Sequence, residues 1–165
     1  MPSTVPIPIE FDLPEGWRAV PPDAIEVPGT SFVAFHPPSD AGFTANITID
    51  GEYRPDAATL PEIADESVAR MDQALTPVMV TDRCETGSAD APGFTQTLSF
   101  TAVVGGKSRD LVQSQVYLSL LDVDNPHKRV VIRLVLTSTE FQHPAVLDDF
   151  RDLLRTVRPD DGATP

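Results

Sequence analysis

The sequence predicts an α+β fold, in which two helices pack on an antiparallel sheet of about six to seven strands. Three observations carry this prediction: early prolines, two segments with helical spacing of apolar residues, and a long alternating stretch between those segments. Nine of the seventeen prolines lie in the first 38 residues, and proline favours short edge strands and turns over helix. The 165 residues suffice for one domain, predicted over 1–159, with a flexible tail over 160–165.

The N-terminal part of the chain is predicted to form strands. Apolar residues alternate with polar residues and proline over Ile7–Phe11, which is the period of a half-buried strand. The turn that follows brings the Trp17 indole into the core. Residues 31–35 and 43–49 form two more predicted strands, and the turn formers over 36–42 indicate that these strands are a hairpin.

The first helix is predicted to begin after Thr59. Thr59 is a favourable N-cap, and Glu62 three residues later completes a capping box. Pro77 ends the helix because proline cannot continue the backbone hydrogen-bond pattern. The predicted buried stripe has three- and four-residue spacing and consists of Leu60, Ile63, Ala64, Ser67, Val68, Met71 and Leu75.

Strands are predicted for nearly all of residues 78–139. The first covers 78–86, and the second covers 93–104 with its apolar and hydroxyl side chains on opposite faces. The apolar side chains of this second strand are Phe94, Leu98, Phe100 and Ala102, and its hydroxyl side chains are Thr95, Thr97, Ser99 and Thr101.

The length of the loop at Gly105–Gly106 decides which side chains of the next strand are buried. A two-residue loop would place three polar side chains on the face of Phe100, namely Arg109, Gln113 and Gln115. A three-residue loop with a glycine bulge would place apolar side chains there instead, namely Val112, Val116, Leu118 and Leu120. Burying unpaired polar groups would cost several kcal/mol, so the bulged loop is expected.

The last predicted strand covers 128–139, and a helix follows from about Pro144, since proline is favourable in a first turn. Pro159 stops this helix. The core-facing residues of the strand are Val130, Ile132, Leu134 and Leu136, and those of the helix are Val146, Phe150, Leu153, Leu154 and Val157.

A short motif near the N-terminus adds a resemblance. The segment Phe11-Asp-Leu-Pro-Glu-Gly-Trp17 resembles the opening of the PsbP-like superfamily, and the order of elements is similar over about residues 7–158. That superfamily includes PsbP, a Ran-binding import factor, bacterial proteins of the LpqN and DcrB types, and adaptors of type VI secretion effectors. The resemblance implies a curved antiparallel sheet with helices packed on it. It assigns no site residue, because a shared fold hosts many functions.

Charge and hydropathy exclude several classes of protein. Twelve basic residues against twenty-five acidic ones give a net charge of −13, so nucleic acid, whose phosphates would be repelled, is not an expected partner. No stretch approaches the ~20 apolar residues of a membrane span. The start of the chain has neither the basic region nor the apolar run of a secretory leader, so a cytoplasmic location without membrane insertion is expected.

The sequence lacks the residue patterns that are typical of a metal site or a catalytic centre. The oxygen-rich segment 122–127 contains Pro126 and lacks the glycine of a calcium loop, which favours a hairpin turn. The three histidines have no paired spacing for zinc, and no G-x-S-x-G segment occurs. Cys84 is expected to be a buried structural thiol. Adjacent carboxylates such as Asp148 and Asp149 are expected on solvated helix faces. No cofactor, metal or catalytic residue is therefore predicted.

The remaining candidate is a sheet face that mixes hydroxyl, amide, aromatic and cationic side chains among apolar ones. With the bulged loop, these side chains share one face, which suits recognition of a partner protein. The candidate partner-binding residues are Thr97, Ser99, Gln113, Gln115, Tyr117 and Arg133.

The sequence thus predicts a non-catalytic binding or adaptor protein of the bacterial cytoplasm, with a secretion-effector chaperone as one form of it. Such an adaptor is expected to dimerise in order to cover apolar segments of its partner. Ten arginines against two lysines are typical of a GC-rich bacterial genome. A small-ligand or lipid carrier of the LpqN type is the alternative, and an enzyme of unknown reaction is a further one.

Overall fold

A computed structural model describes most of the chain and confirms the α+β prediction. The described residues are 9–20, 32–40, 43–54, 58–74, 78–87, 92–104, 106–121 and 129–159. A curved seven-stranded antiparallel sheet carries two packed helices, and a separate pair of two-residue strands lies beside it. The segment 122–127, the predicted end of the first helix at Leu75–Pro77 and the tail 160–165 lie outside the described residues.

The order across the large sheet is β2-β3-β4-β8-β7-β6-β5, and β1 pairs with β9. The elements in chain order are β1 Ile9–Glu10, β2 Arg18–Val20, β3 Phe32–Asp40, β4 Phe43–Tyr53, α1 Leu60–Ala74, β5 Met79–Gly87, β6 Pro92–Val104, β7 Lys107–Leu121, β8 Arg129–Thr139, α2 His143–Thr156 and β9 Arg158–Pro159.

The predicted β3–β4 hairpin is confirmed, but its strands are longer than expected. Residues 36–40, predicted to turn, continue β3 with a shift of register between His36 and Asp40. Pro37 and Pro38 lack a backbone N–H. They fit there because β3 is close to the sheet edge and the register shift interrupts the hydrogen-bond ladder.

The face of the sheet under α2 holds the main apolar core. Trp17 is buried in it, as predicted, and its indole Nε1 donates to Asp149 Oδ2 at 3.0 Å. Asp149 is therefore not simply a solvated helix carboxylate. The other fully or largely buried members are Ala34, Ala45, Ile47, Ile49, Val116, Val130, Ile132, Leu134, Leu136, Val146, Phe150 and Leu153.

The opposite face lies under α1, which begins as predicted. The Glu62 backbone N–H donates to Thr59 Oγ1 at 3.3 Å, and the Thr59 hydroxyl donates to Glu62 Oε1 at 3.1 Å. Leu60, Ile63 and Ala64 then pack on the sheet. Their partners on the strands are Phe94, Tyr117 and Val131.

The register of the β6–β7 hairpin corrects a prediction. Val104 pairs with Lys107 and Phe100 pairs with Leu111, so the loop has two residues and no bulge. Directly paired residues share a face, which places Arg109, Gln113 and Gln115 on the side of Phe100. The prediction of a bulged loop is wrong because it assumed that the buried polar groups would lack partners.

Most of these buried polar groups have partners. Gln115 Nε2 donates to Gln113 Oε1 at 2.6 Å, and Gln113 Nε2 donates to Thr137 Oγ1 at 3.0 Å. Among the described residues, Arg109 Nε is the one buried side-chain polar atom without a hydrogen-bond partner. The desolvation cost that argued against this register is therefore offset at Gln113 and Gln115.

Cys84 also differs from its prediction, since its side chain is exposed. It lies in β5, an edge strand in which residues 79–86 are all exposed. The prediction of a buried thiol is wrong because α2 packs on the opposite half of this face, away from β5.

Two phenylalanines of the α2 region provide a matched stability test. Phe150 is 1% exposed, and Phe150→Ala is expected to lower the free energy of unfolding by about 3–5 kcal/mol because it opens a cavity in the core. Phe141 is 85% exposed, so Phe141→Ala is expected to change it by less than about 0.5 kcal/mol. Urea unfolding measures both, and similar losses for the two variants would contradict the placement of α2.

The two-residue turn can be tested at Gly106, whose φ is +80°. Gly106→Ala is expected to cost about 1 kcal/mol of unfolding free energy, because a Cβ strains the left-handed backbone. Gly106→Asn is expected to cost less, since asparagine tolerates this region better. Thermal unfolding of the two variants checks the order, and an alanine variant as stable as the parent would contradict this turn.

Candidate functional site

The six predicted binding residues do not share one face. Thr97 and Ser99 pair with Ser114 and Val112 on the α2 side of the sheet. The other four lie on the α1 side: Gln113, Gln115, Tyr117 and Arg133. The predicted common face was a consequence of the bulged register and is wrong. Whether any of the six residues binds a partner stays a prediction.

The four residues on the α1 side also differ in how deeply they are buried. Gln115 and Tyr117 are 2% and 1% exposed, so the native surface does not present them to a partner. Gln113 and Arg133 are half-buried. The side chain of Arg133 reaches an open cleft at the edge of α1.

A continuous hydrogen-bond network joins these side chains to α1. Gln96 Nε2 donates to Gln115 Oε1 at 2.6 Å and to the Ala64 carbonyl at 3.3 Å. The Tyr117 hydroxyl lies 2.7 Å from Gln115 Oε1 and 2.8 Å from Ser67 Oγ. A phenol has one proton, so Tyr117 donates to the amide oxygen and accepts from Ser67. The network fixes α1 on β6 and β7.

At one end of this network lies an ion pair. Arg133 Nη2 and Nε donate to Asp50 Oδ2 at 2.8 and 3.2 Å, and Arg133 Nη1 donates to Ser67 Oγ at 3.1 Å. Strand β8 supplies the arginine, its neighbour β4 supplies the carboxylate, and α1 supplies the hydroxyl. The cross-strand pairing of Asp50 with Arg133 sets this geometry.

Burial shifts the ionisation of these groups. Desolvation raises the pKa of Asp50 above its ordinary value, and the charge of Arg133 offsets part of that shift. Desolvation likewise raises the pKa of Tyr117, against the hydrogen bond from Ser67. Desolvation alone would lower the pKa of Arg133, but Asp50 and Tyr117 together raise that pKa. Arg133 therefore stays cationic, while burial disfavours the ionised form of Asp50 and Arg133 stabilises it.

We call the cavity above this ion pair the α1 cleft. It has a volume of about 310 Å³ and is open to solvent on one side. Its polar lining consists of Asp50, Glu52, Ser67, Arg70, Tyr117 and Arg133. A neighbouring ion pair supports the rim, in which Arg54 binds both oxygens of Glu66 at 2.8 and 2.9 Å.

The second candidate region lies at the other end of the sheet, on the α2 side, where α2 does not reach. We call it the open sheet end and define it as Met79 and Cys84 of β5 with Thr95, Thr97 and Ser99 of β6. These residues form neighbouring pairs, since Met79 pairs with Ser99 and Cys84 with Thr95. Met79 is 66% exposed. Within the described ranges, the Thr97 and Ser99 hydroxyls donate no side-chain hydrogen bond, so both can serve a partner.

A second cavity, of about 530 Å³, lies between the N-terminal turn and α2. Its lining is acidic, with Asp12, Glu15, Asp149 and Asp152. In the described part of the chain, His, Cys, Asp and Glu side chains form no group of three or more that could hold a metal ion. This cavity is an acidic feature of the surface.

Three residues of the hydrogen-bond network at α1 were not predicted from the sequence as members of a site: Asp50, Ser67 and Gln96. A signal for Gln96 was present, because it interrupts the apolar face of Phe94 and Leu98 without ending the alternation. Asp50 gave no comparable signal, since a carboxylate at the end of a strand usually faces water. Its position depends on the pairing of β4 with β8, which are far apart in sequence.

Within the described residues, no helix has the length and apolar character that a membrane crossing needs. No family model matches the chain, and no curated protein matches its sequence. Solved structures do match. LpqN of Mycobacterium tuberculosis, which is involved in cell envelope biogenesis, is similar with a TM-score of 0.66 and 12% identity, over 92% of this chain and 83% of LpqN.

Two further structures have the same architecture. The Saccharomyces cerevisiae Ran-binding protein Mog1p matches with a TM-score of 0.61 and 17% identity, over 94% of this chain and 92% of Mog1p. Cyanobacterial PsbP from Synechocystis matches with a TM-score of 0.57 and 16% identity, over 92% of this chain and 86% of that protein. Identities this low establish the fold alone. The chain has the PsbP-like fold that its Phe11–Trp17 segment predicts.

Proposed function

We propose that this protein is a non-catalytic binding protein, an adaptor of the bacterial cytoplasm that holds a partner protein against the open sheet end. The carrying observation is that α2 leaves this part of the sheet uncovered, with Met79 exposed beside the hydroxyls of Thr97 and Ser99. An apolar side chain surrounded by hydrogen-bonding groups is the composition of a recognition surface.

The edge of β5 supports the same proposal. Residues 79–86 are exposed, and β5 is the terminal strand of the large sheet. An edge strand offers backbone N–H and C=O groups to an incoming extended segment, as in β-strand addition. A partner chain at the open sheet end could therefore bind both side chains and backbone.

Charge restricts the kind of partner. The net charge of −13 favours a basic surface on the partner, and Asp82 and Glu85 add exposed carboxylates to β5. One structural neighbour, Mog1p, is a Ran-binding protein, which supports protein recognition on this fold. A secretion-effector chaperone would be an adaptor of this type, and dimerisation would enlarge the surface that it presents.

Affinity capture with a matched pair of variants tests the docking site. Met79→Lys removes the exposed apolar side chain of the open sheet end, and Phe141→Lys removes one of similar exposure beside α2. Burial of a methionine contributes about 1.5–3 kcal/mol, so Met79→Lys is expected to lower the affinity for the captured partner about tenfold or more. Phe141→Lys is expected to retain the affinity of the parent.

Equal binding by the two variants would contradict the proposal, because it would show that the partner does not bind at the open sheet end. Thr97→Lys provides a second variant on the same face, because its side chain is half-buried in β6 and close to that of Ser99. It is expected to weaken binding in the same direction as Met79→Lys.

Cys84 allows an independent test of the same surface. It is an exposed thiol on the open sheet end and the one cysteine of the chain. We expect a maleimide to label it completely in the native protein, and at least about tenfold more slowly in the partner complex, because a docked chain covers it. Labelling at the same rate with and without the partner would place the interface elsewhere.

A further inference from the structure

The α1 cleft lies on the opposite face from the open sheet end and carries charges of both signs. Asp50 and Glu52 of β4 line one wall. Arg133 of β8 and Arg70 of α1 line the other. Tyr117 of β7 lies next to Arg133, on the side away from Asp50, and is hydrogen-bonded to Ser67 of α1.

The ion pair at the base leaves one carboxylate oxygen of Asp50 available for another group. Both bonds from Arg133 go to Asp50 Oδ2, and no described residue donates to Asp50 Oδ1. Asp50 itself lines the cleft. A carboxylate oxygen in this position can accept a hydrogen bond from an ammonium group, whose positive charge would favour the ionised form of Asp50 that burial disfavours.

The opposite wall offers donors. Arg70 is exposed at the rim, where its Nη2 lies 3.4 Å from Ser67 Oγ, a long contact that leaves most of the guanidinium available. Arg133 Nη1 uses one of its two hydrogens for Ser67 and has a second. A carboxylate between Arg70 and Arg133 would receive charge-assisted hydrogen bonds from both.

Size and the remaining lining limit the ligand further. A volume of about 310 Å³ gives room for a small ligand of the size of an amino acid. Ile63 and Val131 border the same cleft but are only 4% and 3% exposed, so they contribute a small apolar area to it. The cleft therefore combines an ammonium acceptor, carboxylate donors and a small apolar wall.

We propose that the α1 cleft binds a small zwitterion, an α-amino acid with an apolar side chain. Its ammonium group lies against Asp50 and Glu52, its carboxylate against Arg70 and Arg133, and its side chain against Ile63 and Val131. A simple anion would face the two carboxylates, and a simple amine would face the two guanidinium groups, so the paired charges select a ligand that carries both. This site does not depend on the proposed partner docking, which lies on the other face of the sheet.

Isothermal titration calorimetry of the full chain at pH 7 tests the proposal. The probes are L-valine, L-leucine and L-isoleucine, together with two analogues of leucine that each lack one charge, isoamylamine and isocaproate. We expect saturable binding of at least one amino acid. Each leucine analogue is expected to bind at least about tenfold more weakly than leucine, because it leaves one pair of charged groups in the cleft unmatched.

Variants identify the site. Arg70→Gln changes an exposed helix residue and is expected to weaken amino-acid binding at least about fivefold without lowering the urea midpoint. Asp50→Asn is expected to abolish binding, and its folding is checked by the same urea transition. Arg151→Gln removes an exposed arginine from α2, outside the α1 cleft, and is expected to bind as the parent does.

Three outcomes would overturn the proposal: no saturable binding of any of the three amino acids, analogues that bind as tightly as leucine, or binding that Arg70→Gln leaves unchanged. Because Arg70→Gln is not expected to disturb folding, this variant keeps the result interpretable even if Asp50→Asn unfolds. Loss of partner capture by Met79→Lys has no bearing on these measurements, so the two proposals fail separately.

Discussion

The hydrogen-bond network under α1 determines the arrangement of the central strands. Gln96 and Gln115 lie opposite each other on β6 and β7, and their amide groups are 2.6 Å apart. A slip of one residue would move the side chains of the slipped strand to the wrong face and would break this contact. Buried polar groups are costly without partners, so the network penalises every alternative register.

The same network joins the two candidate regions mechanically. Arg83 of β5 donates from Nε to Gln96 Oε1 at 3.0 Å and forms an ion pair with Asp65 of α1 at 2.6 Å. At the far end, Ser67 contacts both Tyr117 and Arg133. A displacement of α1 would therefore affect the α1 cleft and the edge strand β5 together, since both are bonded to one helix.

Local signals in the sequence predicted most elements of the fold, and pairings distant in sequence explain what was missed. The capping box at Thr59, the alternation through β6 and the apolar stripe of α2 each act within about fifteen residues, and each prediction is confirmed. The predicted hairpin register was wrong because the desolvation cost of Gln113 and Gln115 depends on their hydrogen-bond partners. Helix α1 and strand β8 supply those partners from elsewhere in the chain. Asp50 was not predicted, and the prediction for Cys84 was wrong, for a related reason: the surroundings of both residues follow from strand order and from where α2 packs.

The contact between the two ends of the domain has a consequence for synthesis. β1 pairs with β9, and the Asp12 backbone N–H donates to Thr156 Oγ1 at 2.8 Å across 144 residues of sequence. A ribosome adds about 5–20 residues per second, so the N-terminal segment waits about 7–30 s for its partner after it has emerged. During that interval Trp17 has no α2 to pack against. The N-terminal part of the domain is thus among the last to reach its native contacts, and the nascent chain exposes an indole that a chaperone could bind.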